Sequence, residues 1–76
     1  MRWQEYLTSD PGICGGEVCT RGTRIPVTVI LDNLAEGVSR DEVLRSYPSL
    51  SPEHISAALA YAAELAHDQH MIPLTT

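Results

Sequence analysis

The chain has 76 residues, 43% of them hydrophobic, and a formal net charge of −5. A chain of this length forms one small domain that buries only about 60% of its unfolded surface, so we expect a marginal core and a homodimer. The excess of acidic over basic residues disfavours non-specific binding to nucleic acid, because like charges repel the phosphate backbone. No apolar run reaches the roughly 18 residues of a membrane span, and no apolar signal segment is apparent, which predicts a cytoplasmic protein without a membrane partner.

Residues 1–25 predict an N-terminal strand or hairpin region. Trp3–Leu7 is a short aromatic and apolar segment that is typical of a strand or of an anchor for the N-terminus. Thr8–Gly12 has the residues of a turn, because Asp before Pro disfavours helix and Gly relaxes the backbone. Ile13–Cys14 and Val18–Thr20 flank Gly15–Gly16, and this pattern predicts two strand arms joined by a glycine turn.

Residues 26–67 predict three helices with short connections. Pro26 is suited to the first turn of a helix, with Thr23 as its candidate cap, and Gly37 is suited to end that helix in a left-handed conformation. The apolar residues of this first helix recur at helical spacing: Val27, Ile30, Leu31 and Leu34.

Two further helix starts are marked by capping signals. Ser39 followed by Glu42 is a capping box, and Pro48 ends the second helix. Ser51–Pro52 predicts the start of a third helix that runs to about His67. The apolar stripe of this third helix consists of Ile55, Ala58, Leu59, Ala62, Leu65 and Ala66.

These elements predict a single, mainly α domain over residues 1–76. An N-terminal β-hairpin would precede a three-helix, helix-turn-helix-like bundle of the homeodomain-like kind, with a tail at residues 68–76. If the third helix entered the major groove, the candidate DNA-facing residues would be Arg40, Arg45, His54 and Tyr61.

The composition of the third helix favours packing, or a dimer contact, over groove insertion. Its positions predicted to face solvent include two glutamates and lack Arg, Lys and Asn, on which base readout depends. These positions are Glu53, His54, Ser56, Ala57, Ala60, Tyr61 and Glu64.

Arg21 and Arg24 are the candidate residues for binding a partner or a phosphate. They flank Gly22, for which we expect a positive φ, and lie at the entry to a helix N-terminus with its free N–H groups. The anion would be a DNA phosphate or a carboxylate of a partner protein. Alternatively, both arginines pair internally and lock the hairpin, with partners among Asp10, Glu17 and Asp32.

We expect no metal, no cofactor and no enzymatic activity. Glu64, His67 and His70 have the residue types of a metal site, but their position near the end of the third helix favours solvated side chains. Cys14 and Cys19 can pair under oxidation and are expected to be reduced in the cytosol. No nucleophile with a base and no phosphate-binding glycine loop with its lysine is present.

The motifs of the chain closely resemble domain-of-unknown-function family 433. The resemblance runs from about Tyr6 to Ala66, and its most specific part is the Gly-Thr-Arg-Ile-Pro-Val core. The matching segments are Asp10–Pro11, Ile13–Gly16, Arg21–Val27, Gly37–Ser39, Tyr47–Leu50 and Ala57–Tyr61.

The resemblance implies the antitoxin half of a type II toxin–antitoxin pair. Members of the family look like small helix-turn-helix-like antitoxins encoded beside a toxin with a PIN-like nuclease fold. The chain would then bind and neutralise a PIN-like ribonuclease toxin. The alternatives are a helix-turn-helix regulator that represses its own operator DNA, and a plain dimerisation module.

The chain departs from the family pattern in the hairpin. Glu17 and Val18 stand where a lysine and a proline are common, and Thr20 stands where an aliphatic residue is common. Losing the lysine removes positive charge and weakens the expectation of DNA binding. The short apolar tail carries Met71, Ile72 and Leu74, which would suit docking into a groove.

Overall fold

The computed structural model describes residues 1–68, apart from the side chain of Ile13. Its elements in chain order are a 3-10 helix at Trp3–Glu5, strands β1 (Leu7–Asp10) and β2 (Ile13–Thr20), and helices α1 (Val27–Ala35), α2 (Arg40–Ser46) and α3 (Pro52–Asp68). The strands are antiparallel, which confirms an N-terminal hairpin followed by three helices. The expectations for His70 and the apolar tail lie outside the described residues. Within them, no helix combines the length and apolar character needed to cross a bilayer.

The turn of the hairpin lies at Pro11–Gly12, so the prediction of a turn at Gly15–Gly16 was wrong. The Asp10 carboxylate accepts a hydrogen bond of 2.8 Å from the Gly12 N–H, and this side-chain bond closes the turn. Strand pairing jumps from Ser9 with Val18 to Asp10 with Ile13. Gly15–Gly16 therefore lie in a bulge of β2.

Helix α1 begins without a side-chain cap. Pro26 is its N-cap and makes no side-chain hydrogen bond there, so the prediction that Thr23 caps this helix was wrong. At the other end, Gly37 has a φ of 91°, as predicted. The Gly37 and Val38 N–H groups donate to the carbonyl oxygens of Leu34 and Asn33, and this Schellman motif satisfies the last turn.

The predicted starts of α2 and α3 are confirmed. The Ser39 hydroxyl accepts a hydrogen bond from the Glu42 N–H at 3.2 Å. At α3, the Ser51 hydroxyl lies 3.4 Å from the His54 N–H, and the ring Nδ1 of His54 accepts from the Ser51 N–H at 3.0 Å. Histidine thus takes the role that Glu or Gln has in an ordinary capping box.

The core lies where the three helices meet β1. Its buried residues are Leu7, Val27, Ile30, Val43, Leu50, Ile55, Ala57 and Ala58. Ala57, predicted to face solvent, is fully buried, whereas Leu59 and Leu65 of the predicted stripe are 41% and 48% exposed. The inward face of α3 is therefore rotated from the one predicted, because the N-terminal segment packs on a face that the pattern assigned to solvent.

The 3-10 helix anchors the N-terminus on α3. The ring of Trp3 packs edge-on against that of Tyr61, with centroids 5.0 Å apart, and its indole N–H donates to the Glu64 carboxylate. The segment at residues 3–7 therefore serves mainly as the anchor, and only its last residue, Leu7, belongs to a strand.

Candidate functional site

The segment at residues 21–24, named here the arginine loop, connects β2 to α1. The Thr20 N–H donates to the Ile25 carbonyl at 2.9 Å, and the Arg24 N–H donates to the Thr20 carbonyl at 2.9 Å. Gly22 has a φ of 88° and Arg24 a φ of 59°, so the backbone passes twice through the left-handed region. The positive φ expected at Gly22 is confirmed.

Thr20 holds the loop from the inside. Its side chain is completely buried, and its hydroxyl accepts a hydrogen bond from the Ile25 N–H at 3.1 Å. The same hydroxyl also contacts the Thr23 hydroxyl and lies 3.3 Å from the Ile25 carbonyl. The loop therefore closes around the buried Thr20 hydroxyl, which is fully hydrogen-bonded.

Arg21 ties the loop to the N-terminal segment. Its N–H donates to the Tyr6 carbonyl at 2.8 Å. Its guanidinium donates to the carbonyl oxygens of Gln4 and Leu7 at 3.1 and 3.0 Å. The guanidinium is thus bound to main-chain oxygens rather than to a carboxylate, although the residue remains exposed.

His54 ties the same loop to α3. Because its Nδ1 accepts from the Ser51 N–H, the neutral ring carries its proton on Nε2, which lies 3.2 Å from the Arg21 carbonyl and donates to it. The ring also packs edge-on against Tyr6, with centroids 6.3 Å apart. One imidazole therefore joins the helix start, the arginine loop and the N-terminal segment.

Arg24 presents the exposed guanidinium of the loop. Its backbone is fixed by the N–H bond to Thr20, and its carbonyl accepts from the Cys14 thiol, whose Sγ lies 3.1 Å away. The side chain is exposed to solvent. The loop therefore offers a positive group on a fixed backbone, which is an arrangement suited to an anionic partner.

Both cysteines lie beneath the arginine loop. Cys19 is fully buried and pairs with Pro26 in an isolated antiparallel bridge. Cys14 is half-buried, and its thiol donates to the Arg24 carbonyl. Burial, and next the neighbouring Cys14 thiol, raise the pKa of the Cys19 thiol above its ordinary value.

The candidate DNA-facing residues differ in exposure and in bonding. Arg45 is exposed on α2. Arg40 is also exposed, but its guanidinium donates to the Ser56 hydroxyl at 2.8 Å and so braces α2 against α3. His54 and Tyr61 are half-buried, and their rings are committed to contacts with Tyr6 and Trp3.

Two clefts flank the loop and the bulge of β2. A cleft of about 270 Å³ is lined by Arg21 together with Trp3, Leu7, Val18 and Tyr61, among others. A second cleft, of about 420 Å³, shares Val18 and Tyr61 and continues to Leu31 and Leu65. Among residues 1–68, no group of three or more His, Cys, Asp or Glu side chains is arranged to hold a metal ion.

The sequence pointed to Arg21 and Arg24 as candidates but did not predict which residues position their loop. Thr20 and His54 do so, and His54 was considered only as a DNA-facing residue. The histidine three residues after Ser51 was a usable signal, because that is where a capping box places a side chain that bonds back to the N-cap.

The family model described as "Protein of unknown function (DUF433)" matches residues 7–62. The uncharacterized protein y4eO of Sinorhizobium fredii is 42% identical over 59 residues, which are 78% of this chain and 27% of that protein. The crystal structure of a DUF433 member from Anabaena variabilis is similar with a TM-score of 0.76 and 36% identity, over 84% of this chain and 63% of that one. The chain thus spans about a quarter of the curated relative's length. Since the family model covers most of the chain, including the arginine loop, the chain belongs to the DUF433 family.

Proposed function

We propose that the chain acts as an antitoxin-like protein that binds and neutralises a PIN-like ribonuclease. The observation that carries the proposal is the exposed Arg24 side chain on a loop with a bonded backbone, in a chain of net charge −5. In this mechanism the guanidinium enters the acidic, metal-binding cleft of the nuclease and pairs with its carboxylates. The family resemblance implies the same partner.

The bracing of the loop favours such a contact energetically. A loop already fixed by main-chain bonds through Thr20, Tyr6 and His54 loses little conformational entropy when a partner binds. A guanidinium pairs with a carboxylate through parallel N–H donors, which adds directional specificity. The two clefts beside the loop would supply apolar contact area, with Val18 and Tyr61 common to both.

The test is to look for a PIN-like nuclease among the adjacent genes and to measure its binding and inhibition by this chain. Co-expression should give a complex that copurifies, and the purified chain should stop RNA cleavage by that nuclease. Arg24→Ala should raise the Kd by about tenfold or more, equivalent to at least about 1.4 kcal/mol. Separate elution of the wild-type proteins at low salt would refute the proposal.

Arg45→Ala is the matched control for Arg24→Ala. It removes the same exposed positive charge, but from α2 instead of from the arginine loop. It should leave the Kd for the nuclease near the wild-type value. An equal loss in both variants would mean that net charge, and not the loop, governs binding.

A second candidate function is repression of the chain's own operator through a helix-turn-helix, homeodomain-like arrangement. It is favoured by the short connection between α2 and α3 at residues 47–51, in which Leu50 is buried. It predicts a gel shift on DNA upstream of the gene that weakens in Arg45→Ala. Absence of binding at micromolar protein and low salt would exclude it.

Homodimer formation is a separate proposal that fits either function. Leu59 and Leu65 are exposed on α3, and a small domain gains stability by burying such side chains in a dimer. Light scattering should report twice the chain mass. A monomer that still inhibits the nuclease would show that the plain dimerisation module is not the function.

A further inference from the structure

We infer that Cys14 and Cys19 form a reversible thiol–disulfide pair, a modification site that a hydroperoxide oxidises within one chain. This inference is independent of the proposed function. It rests on the placement of the two thiols by the bulge of β2 and by the arginine loop.

Cys14 lies in the bulge of β2. Cys14, Gly15 and Gly16 have φ values of 53°, 63° and 87°, so three successive residues have a positive φ. They lie between Ile13, which pairs with Asp10, and Val18, which pairs with Ser9, and they therefore leave the ladder of the two strands. Two of the three residues are glycines, which adopt this conformation without strain.

The location of Cys14 is fixed independently by its contact with Arg24. Its Sγ lies 3.1 Å from the Arg24 carbonyl. The segment from Arg24 to Pro26 runs alongside Cys19 and Thr20, because Pro26 forms a bridge with Cys19 and the Ile25 carbonyl accepts from the Thr20 N–H. A thiol bound at the Arg24 carbonyl therefore lies near Cys19, and the neighbouring Cys14 thiol contributes to the raised pKa of the Cys19 thiol.

The two thiols differ in access, and this difference gives them different roles. Cys14 is half-exposed, so a peroxide can reach its sulfur, whereas Cys19 is fully buried and protected. Cys14 would be oxidised first, and Cys19 would then resolve the product. A half-exposed thiol beside a second thiol is the usual arrangement of a redox-sensitive pair.

The reaction is balanced with a hydroperoxide as oxidant. The Cys14 sulfur attacks one peroxide oxygen, the O–O bond breaks, and with hydrogen peroxide the products are a sulfenic acid and water. The Cys19 sulfur then attacks the Cys14 sulfur, the S–S bond forms, the S–O bond breaks, and a second water leaves with the Cys19 proton. The two thiols lose two hydrogen atoms, and one hydrogen peroxide is reduced to two waters.

Oxidation also changes the bonding of the arginine loop. The Arg24 carbonyl accepts its hydrogen bond from the Cys14 thiol, and a disulfide has no proton to donate. The state of the thiol pair is thereby transmitted to the residue with the exposed guanidinium. The amide resonances of Arg24 and Ile25 should move on oxidation.

The experiment treats the purified full chain with hydrogen peroxide and follows its intact mass and its free thiols. The wild-type chain should lose the mass of two hydrogen atoms and both free thiols, and its denatured mass should remain that of a single chain. Dithiothreitol should restore the original mass and both thiols. Addition of oxygen atoms to Cys14 with Cys19 still a free thiol would overturn the inference. A disulfide only between chains would also overturn it.

Two variants test the order of events. In Cys19→Ala, Cys14 should gain oxygen atoms because no second thiol of the same chain can resolve the sulfenic acid. In Cys14→Ala, Cys19 should remain unmodified until the chain is denatured. Equal peroxide reactivity of the two single variants would contradict the assigned roles, and the wild-type mass measurement stands even if one variant folds poorly.

Discussion

Thr20 is the buried polar residue on which the arginine loop depends. Its hydroxyl bonds the Ile25 N–H and the Thr23 hydroxyl, and its main chain bonds Ile25 and Arg24. A buried donor that loses its partner keeps the full cost of its desolvation. The Thr20 side chain is therefore the buried support of the loop, beside the outer contacts that Arg21 and His54 make.

Thr20→Val should destabilise the protein by about 1–3 kcal/mol, because it preserves shape but leaves the Ile25 N–H without its hydroxyl acceptor. Urea unfolding measures the change. Thr28→Val is the control, since Thr28 is exposed on α1. If Thr20→Val were no worse than Thr28→Val, the hydroxyl would not be holding the loop.

His54→Ala should destabilise the protein by about 1–2 kcal/mol, because the ring bonds both the Ser51 N–H and the Arg21 carbonyl. His67→Ala is a matched control in the same helix, and His67 is exposed. Amide hydrogen exchange should be faster at Ser51, and the carbonyl carbon resonance of Arg21 should move, in His54→Ala only. No change at the Ser51 amide and at the Arg21 carbonyl would mean that His54 does not join the loop to α3.

At the scale of elements, the helix boundaries were predictable and the strand register was not. Ser39, Ser51 and Gly37 act through hydrogen bonds to residues a few positions away, and Pro52 acts through its own fixed φ. These effects can therefore be predicted from the local sequence. Gly15–Gly16 carries the same hairpin signal as a turn, yet the Asp10 carboxylate closes an earlier turn at Pro11–Gly12. Two competing turn signals this close cannot be ranked from composition alone.

The C-terminus of α1 gives a test of one such local signal. Gly37→Ala should cost about 1–2 kcal/mol of stability, because an alanine must adopt the left-handed conformation at a φ of 91°. A Cβ on Gly37 would meet no atom within 4 Å, so the cost is conformational and not steric. Thermal unfolding should therefore rank Gly37→Asn between wild type and Gly37→Ala, since asparagine tolerates this conformation better. Equal losses in both variants would contradict this account.

At the scale of the whole molecule, tertiary contacts decide which face of α3 is inside. Periodicity assigned Leu59 and Leu65 to the core and Ala57 to solvent, and the structure has the reverse. The N-terminal 3-10 helix is the cause, since Trp3 contacts Tyr61 and Glu64. The apolar pattern of α3 contains no information about a contact with a segment so distant in the sequence. The arginine loop could be predicted from the sequence because its signals are local. Glycine and proline mark the loop on which the arginines lie.

Cys19 links global stability to pH through its burial. Its pKa is raised above the ordinary thiol value of 9.0, first by burial and next by the neighbouring Cys14 thiol. Above that ordinary value the unfolded chain releases the thiol proton while the folded chain retains it, so the unfolded state becomes favoured as pH rises. The contribution of Cys19 to the free energy of unfolding is complete below the pKa that its thiol has in the unfolded chain. It is lost as the pH rises through the pKa of the thiol in the folded chain.

We therefore expect the free energy of unfolding, measured in urea under reducing conditions, to fall from neutral pH to pH values above 9.0. Cys19→Ala will be less stable at neutral pH because it leaves a cavity, but the part of the slope that belongs to the thiol should disappear. Cys14→Ala should keep part of that slope, since burial of Cys19, the first cause of its raised pKa, remains in this variant. If the free energy of unfolding fell equally with pH in wild type and in Cys19→Ala, the buried thiol would not be the group that links stability to pH. Other groups that titrate on unfolding would then govern stability at alkaline pH.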